Sequence, residues 1–345
     1  MFYTNARIFG SDFRFHMGAF EVKDGVFGEI LPENVPADAT DLGGATVIPG
    51  LVEVHSHGNS GADFSDGDYE GLKKMAKFFA TCGVTTFAPA SMTLPYEVLS
   101  KAFATAKQLR DEAPEGYSRL MGIQMEGPYF SYKKRGAQNA DYLKEPDFEG
   151  FRKLFEECDG LVRIVDIAPE LPGAAEFVAE ASKLCTVSIA HTDSDYDHAR
   201  AAFDAGATHL THLYNAMPGI NHRNPGVIPA AVETPGVRAE IICDGYHIHP
   251  AAVRLAFSMF GGEEQTVSIE CPNKLVGVFI DRFGDTASIR PSFDKKDFSV
   301  VRVSVNVSLQ FFAWVFGLGK DTRIISPESV VNDFKQTVTD ILSNY

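Results

Sequence analysis

Cysteine is scarce. Five stand in 345 residues, at positions 82, 158, 185, 243 and 271, and no two form a C-x-x-C pair. A scattered odd set in an acidic chain gives no disulfide framework to read; it points to reduced, packed thiols and a cytoplasmic home. Long apolar runs are lacking too. None approaches the roughly 18 residues a membrane helix needs, so no membrane partner is expected. The first fifteen residues carry Asn5, Arg7, Asp12 and Arg14, with no apolar core long enough for a signal peptide. Positive charge is short: 31 Lys plus Arg face 46 Asp plus Glu, a net charge of -15. That sign argues against nucleic acid as a partner, because a phosphate backbone needs a basic surface.

What remains is ordinary for a globular protein, with 45% hydrophobic and 22% charged residues. The length suits one large core or two smaller ones. The charge is uneven. Nine basic and nine acidic residues follow Glu264, leaving 22 against 37 in residues 1–264. Such a shift supports a domain boundary near Gly262.

The chain is organised around Thr46-Val-Ile-Pro-Gly-Leu-Val-Glu-Val-His-Ser-His-Gly58. Its β-branched run, broken by Pro49-Gly50, predicts a buried strand entered through a turn. His55 and His57 lie two apart at its end, so both imidazoles project from one face. Two imidazoles on one face suit a divalent cation such as zinc or iron. Three further β-like runs also end in metal-capable side chains. Glu126 ends Leu120–Met125, His191 ends Thr186–Ala190, and His212 closes Ala207–Thr211. Chemistry-bearing residues at the C-terminal ends of several strands are the signature of a (β/α)8 barrel site. Helical periods over 69–82, 96–113, 148–157, 174–184, 197–205 and 250–260 alternate with strands, which predicts a parallel sheet with helices outside it. Seven strands are counted up to Cys243, and an eighth is needed to close a barrel. Before them, Ala6–Phe9, Ala19–Val22 and Val26–Ile30 read as short strands separated by turns.

Residues 1 to about 262 resemble the N-acetylglucosamine-6-phosphate deacetylases of the amidohydrolase superfamily. The stretches that carry the resemblance are Pro49–Gly58, Glu126-Gly-Pro-Tyr-Phe130, Gly136-Ala-Gln-Asn139, Ala190-His191, His212-Leu-Tyr-Asn-Ala-Met217 and Cys243-Asp-Gly-Tyr-His-Ile-His249. They occur in the family's order. The resemblance implies an α/β fold: a (β/α)8-type metallohydrolase barrel over 46–262, here incomplete at strand eight, with residues 1–45 supplying strands of a small β-sandwich. It implies that Glu126, His191 and His212 hold the main metal ion, with His55 and His57 holding a second or assisting the first. One or two zinc or iron ions per chain follow, and such an ion would acidify a water. Ala137, Gln138, Asn215, Ala216, Arg223 and His247 are implied as substrate contacts to an amino-sugar phosphate. Arg223 could fork onto the phosphate. Many relatives have histidine where Gln138 stands; glutamine still hydrogen-bonds but carries no charge. A homodimer is left open.

The tail, 263–345, follows an α+β pattern. Thr266–Glu270, Leu275–Ile280, Thr286–Ile289, Phe298–Val307 and Arg323–Ile325 read as strands, and Phe311–Phe316 reads as helical. Ser326-Pro327-Glu328 predicts a helix start, with serine as N-cap and proline first in the helix. Ile280-Asp-Arg-Phe-Gly284, Phe311–Gly317, Ile325–Val330 and the terminal Ile341–Tyr345 are similar to the C-terminal extension of WYL-domain transcription regulators.

One expected part is missing. The deacetylase family places an aspartate after strand eight, in a Thr-Asp or Ser-Asp pair, to move a proton from water to the leaving amine. No such pair follows Gly262. Glu270 stands at about the right distance and is the substitute candidate, although its extra methylene matters where about 1 Å of misplacement can cost ~100-fold in rate. The activity expected is hydrolysis of N-acetyl-D-glucosamine 6-phosphate to D-glucosamine 6-phosphate and acetate. Its rivals are a catalytically impaired fusion that binds metal or sugar phosphate, and a WYL-type regulatory or assembly module.

Overall fold

A two-residue turn starts the architecture. Asp24 and Gly25 both adopt positive φ, 50° and 76°, as a type I′ hairpin turn requires. They join β2 (Phe15–Lys23) to β3 (Val26–Leu31), and β1 (Phe2–Phe9) pairs antiparallel with β2 on its other side. Two short strands, β4 (Thr40–Asp41) and β5 (Thr46–Val47), run parallel to β1. Ala6, Ile8 and Phe20 form a small apolar cluster here, flanked by Tyr3, Val22, Ile30, Leu42 and Val47. The computed structural model describes residues 1–10, 15–31, 36–260, 264–307 and 309–342. The boundary expected at 262/263 lies outside them, as do the last three residues of the tail. The chain forms two compact units, Gly50–Val253 and Met1–Pro49 together with Arg254–Tyr345.

In the unit Gly50–Val253, strands and helices alternate as the periodicity predicts. β6 (Leu51–Ser56) is followed by a small hairpin of β7 (Gly58–Asn59) and β8 (Ala62–Asp63), then α1 (Tyr69–Thr81), β9 (Val84–Pro89) and α2 (Tyr96–Glu112). β10 (Arg119–Leu120) and β11 (Ile123–Tyr129) lead to α3 (Phe148–Glu157), β12 (Val162–Ile167) and α4 (Ala174–Ala181). Then come β13 (Thr186–Ile189), α5 (Tyr196–Ala205), β14 (His209–Leu210), α6 (Val227–Val232) and β15 (Arg238–Ala239); α7 (Pro250–Phe260) starts here. The helix starts are chemically explicit: Asp68 and Asp195 accept from backbone N–H groups at the first turns of α1 and α5.

β6, β9 and β10 form one parallel run and β11 to β15 another; an Ala90–Gln124 bridge joins them. β11 is buried along its whole length, as a strand covered on both faces should be. β6 is not. Leu51 and Val52 are 53% and 55% exposed, which corrects the expectation of a buried strand. The reason is position: within this unit β6 and β15 each have a ladder partner on one side only.

The C-terminal segment has its own sheet. β16 (Glu264–Pro272) is central, between β18 (Phe298–Asn306) and β19 (Arg323–Ser326), with β17 (Ser288–Pro291) beyond β18, all antiparallel. α8 (Val276–Phe283), α9 (Leu309–Gly317) and α10 (Glu328–Leu342) complete it. Phe279, Trp314, Phe312 and Val330 pack with Val267, Ile269, Val301 and Val303 in one apolar cluster. The expected strand over Leu275–Ile280 is corrected to helix. Its valines mimic a strand, but the i, i+3, i+7 spacing of Val276, Phe279 and Phe283 puts three apolar groups against that cluster. Among the described residues, no helix is long and apolar enough to cross a membrane.

Candidate metal centre

Five side chains meet because parallel strands deliver them to one end. His55 lies on β6, His57 follows it, Glu126 sits on β11, and His191 and His212 lie two residues beyond β13 and β14. Glu126, 2% exposed, is the hub. Its Oε1 lies 3.2 Å from His191 Nε2, 3.1 Å from His212 Nε2 and 3.5 Å from His55 Nε2. Its Oε2 lies 3.1 Å from His57 Nε2. The ligand atoms of His55, His57 and Glu126, and those of Glu126, His191 and His212, form two tight triads that share the carboxylate.

The far ring nitrogens decide what the near ones can do. His57 Nδ1 is 3.1 Å from the Ala90 carbonyl, His191 Nδ1 2.9 Å from that of Lys134, and His212 Nδ1 3.1 Å from that of Asn215. A carbonyl only accepts, so each Nδ1 donates, and in the neutral ring each Nε2 presents a lone pair to the centre. Yet His191 Nε2 and His212 Nε2 are 3.2 Å apart. Two lone pairs at that distance repel unless a cation lies between or beside them. The donor set therefore fits a metal ion on its own chemistry: imidazole nitrogens and one carboxylate, with no thiolate, suit zinc or iron(II).

The backbone is strained where the ligands sit. His191 and His212 have φ of 44° and 34°, and Tyr214 and Ala216 on the following loop have 76° and 52°. Left-handed backbone is uncommon for residues other than glycine and clusters at functional sites, where the surroundings over-determine it. Here the Leu213 N–H is tied to the Glu240 carbonyl and the Thr192 N–H to that of Ala216. Gly127, beside Glu126, has φ 93°, and a Cβ there would meet Thr93 Oγ1 at 2.1 Å, so only glycine fits.

Charge is concentrated. Burial works to raise the Glu126 carboxyl, but with no ion present the imidazoles of His191, His212, His55 and His57 at its oxygens outweigh it, taking the proton themselves, and hold the group well below the usual range. Burial likewise works against the His55 imidazolium, and hydrogen bonds to Glu126 and Glu240 overcome it, pushing the group up to about 11. Asp166, fully buried, is driven well above the carboxylate range, first by burial and then by Glu126 and Glu240.

A cavity of about 880 Å³ opens over the centre. Its lining includes five of the six residues expected from sequence as substrate contacts, Ala137, Gln138, Asn215, Ala216 and His247. Gln138 is buried with its amide fixed at both ends: its oxygen accepts from the Thr93 N–H at 2.7 Å and its NH2 donates to Glu126 Oε2 at 2.7 Å. His247 is anchored by Asp244, with Nδ1 to Oδ2 at 2.7 Å. Arg223 is exposed on the loop before α6 and is not among the lining residues. Glu270 lies in the other unit, on β16. Its Oε1 accepts from Ser292 Oγ at 2.8 Å, and its Oε2 from Arg323 Nε at 2.8 Å and Lys295 Nζ at 3.0 Å.

Sequence reasoning missed Glu240, whose Oε2 lies 2.9 Å from His55 Nδ1. It also missed the buried polar set Gln124, Asp166, Ser188 and Thr211. A signal existed: acids and amides interrupt apolar strand runs at 124, 166 and 240.

The model of the amidohydrolase family matches residues 46–282. N-acetylglucosamine-6-phosphate deacetylase of Vibrio furnissii is 35% identical over 227 residues, 65% of this chain and 56% of the relative. The Bacillus subtilis enzyme of the same name is 36% identical over 232 residues, 66% of this chain and 57% of the relative. The crystal structure of N-acetyl-D-glucosamine-6-phosphate deacetylase from Mycobacterium smegmatis superposes with a TM-score of 0.67 at 32% identity, covering 75% of this chain and 73% of that one. The chain thus spans little more than half the length of the curated relatives it matches.

Proposed function

The chain belongs to the amidohydrolase family, and from that premise we propose that it is a metal-dependent deacetylase acting on an amino-sugar phosphate. The reaction is hydrolysis of N-acetyl-D-glucosamine 6-phosphate to D-glucosamine 6-phosphate and acetate. The observation that carries it is the convergence of His55, His57, Glu126, His191 and His212 beneath one cavity lined by Ala137, Gln138, Asn215, Ala216 and His247. The names of the relatives supply the substrate class.

Glu126, His191 and His212 would hold one ion, zinc or iron, and His55 and His57 with the shared carboxylate a second. Such an ion supplies Lewis acidity toward a carbonyl and acidifies water. The chain's own part is to aim four Nε2 lone pairs through their Nδ1 bonds, to lock the Gln138 amide against Glu126, and to offer Asn215 and His247 to the sugar. Arg223 reaches the phosphate only if its loop turns inward. The five free cysteines support a cytoplasmic setting.

A second reading has a specific observation behind it. Glu270 is held by Ser292, Arg323 and Lys295, which makes it a structural carboxylate of the C-terminal sheet. With no Thr-Asp or Ser-Asp pair after Gly262, proton transfer has no assigned group, and the chain is then an impaired relative that binds metal and sugar phosphate. On either reading we take the barrel as lacking strand eight and residues 263–345 as a WYL-type tail. Purified protein assayed for bound metal and for acetate release decides between them. Stoichiometric metal with acetate release supports the deacetylase, and metal with sugar-phosphate binding but no acetate supports the impaired relative. Absence of metal overturns both.

A further inference from the structure

Three of the four imidazoles are aimed by backbone carbonyls, those of Ala90, Lys134 and Asn215. His55 differs. Its Nδ1 is held by a side chain, Glu240 Oε2, at 2.9 Å. Glu240 is itself well placed. It follows β15, with its N–H bonded to the Leu210 carbonyl at 2.9 Å and its own carbonyl taken by the Leu213 N–H at 2.8 Å. Glu240 is among the residues lining the cavity. The other oxygen, Oε1, is buried with no hydrogen-bond partner. It stands 3.8 Å from His209 Nε2, beyond hydrogen-bond reach.

We propose that Glu240 is a positioning residue for cation binding by His55. It accepts the Nδ1–H, which keeps that proton on Nδ1 and leaves Nε2, 3.5 Å from Glu126, as the nitrogen that exchanges its proton for a cation. A carboxylate behind an imidazole also makes the ring a more basic ligand than a carbonyl does. The two halves of the centre are thereby unequal. The pair His191 and His212 is oriented by backbone and comes with the fold. The pair His55 and His57 depends in half on one removable side chain. This inference rests on the metal reading above.

The test is metal affinity, not turnover. Zn²⁺ and Co²⁺ are titrated into metal-stripped full-length protein, with binding followed by equilibrium dialysis and by the visible spectrum of the Co²⁺ form. Glu240→Ala is expected to weaken the site that includes His55 about 10- to 100-fold, the usual cost of losing such a partner. Glu240→Gln, which keeps an acceptor oxygen, should recover most of that loss. The His191 and His212 site should be unmoved. In a His55→Ala background, Glu240→Ala should add nothing, because its effect runs through that ring. If Glu240→Ala leaves affinity unchanged while His55→Ala lowers it, the proposal fails and the metal reading stands. If Glu240→Ala costs as much without His55 as with it, Glu240 acts directly and the proposal also fails. If the parent protein binds neither ion, the metal reading itself is lost.

Discussion

Two buried glutamates, each about 2% exposed, show two ways to stabilise a carboxylate inside a protein. Glu270 is met by Ser292, by Arg323 and by Lys295. Two of these carry permanent charge, so the account closes with nothing further bound. Glu126 is met by four histidines and Gln138. None of those carries a permanent charge, and three of the rings spend their one neutral-state proton on a backbone carbonyl. A carboxylate buried among such rings is balanced only by a proton taken up on an imidazole, as at His55, or by a cation that replaces it. The two acids are alike in burial and differ in their neighbours: fixed cations at Glu270, rings that can gain or lose a proton at Glu126.

The largest effect is expected around Glu126. His191→Ala should abolish stoichiometric metal retention, measured by elemental analysis. His198→Ala, on the exposed face of α5 and paired with Asp195, should leave it intact. Equal metal content in both variants would remove the distinction between the two glutamates.

Next comes the acid beneath the centre. Asp166 accepts from Thr211 Oγ1 at 3.0 Å and from the Gln124 amide, with no cation among these partners. Its folded-state pKa lies well above 3.8, chiefly because of burial. The folded protein thus keeps a proton that the unfolded chain gives up above 3.8. Stability is lost as pH rises from there toward the folded value, by at most about 1.4 kcal/mol per pH unit. Asp166→Asn removes that loss, so it should gain on the parent between pH 4.5 and pH 8 in denaturant titrations. Parallel profiles would mean that Asp166 is ionised and has found a counter-charge.

Gln138→Leu tests the lock on Glu126. It strips the buried Thr93 N–H of its acceptor and Glu126 of a donor, and should cost about 1–3 kcal/mol of stability. The smallest effect belongs to Glu270. Lys295 and Arg323 are 40% and 57% exposed, so solvent screens the pair. Glu270→Gln should cost about 1 kcal/mol or less, with metal content and any acetate release unchanged. A drop in acetate release at constant metal would restore Glu270 as the proton-transfer group.

What the sequence determined by itself is periodic and local. The alternation of apolar runs with helical stretches is short-range information, and it placed seven strands, six flanking helices and the strand-end positions of His55, Glu126, His191 and His212. Local spacing also misled. The valines of Leu275–Ile280 read as a strand, and only packing against Phe312, Trp314 and their neighbours shows that a helix buries Phe279 better. Tertiary structure alone decided the rest. β6 is exposed because, among the described residues of its unit, it has a ladder partner on one side only, which no property of its own residues records. Glu240 meets His55 across 185 positions of chain, and Glu270 meets Arg323 across 53. Hydrogen bonds and ion pairs act over about 3 Å of space regardless of separation in sequence. The residue types could therefore nominate both glutamates, but only the folded neighbourhood could divide the carboxylate among imidazoles from the one held by Arg323 and Lys295.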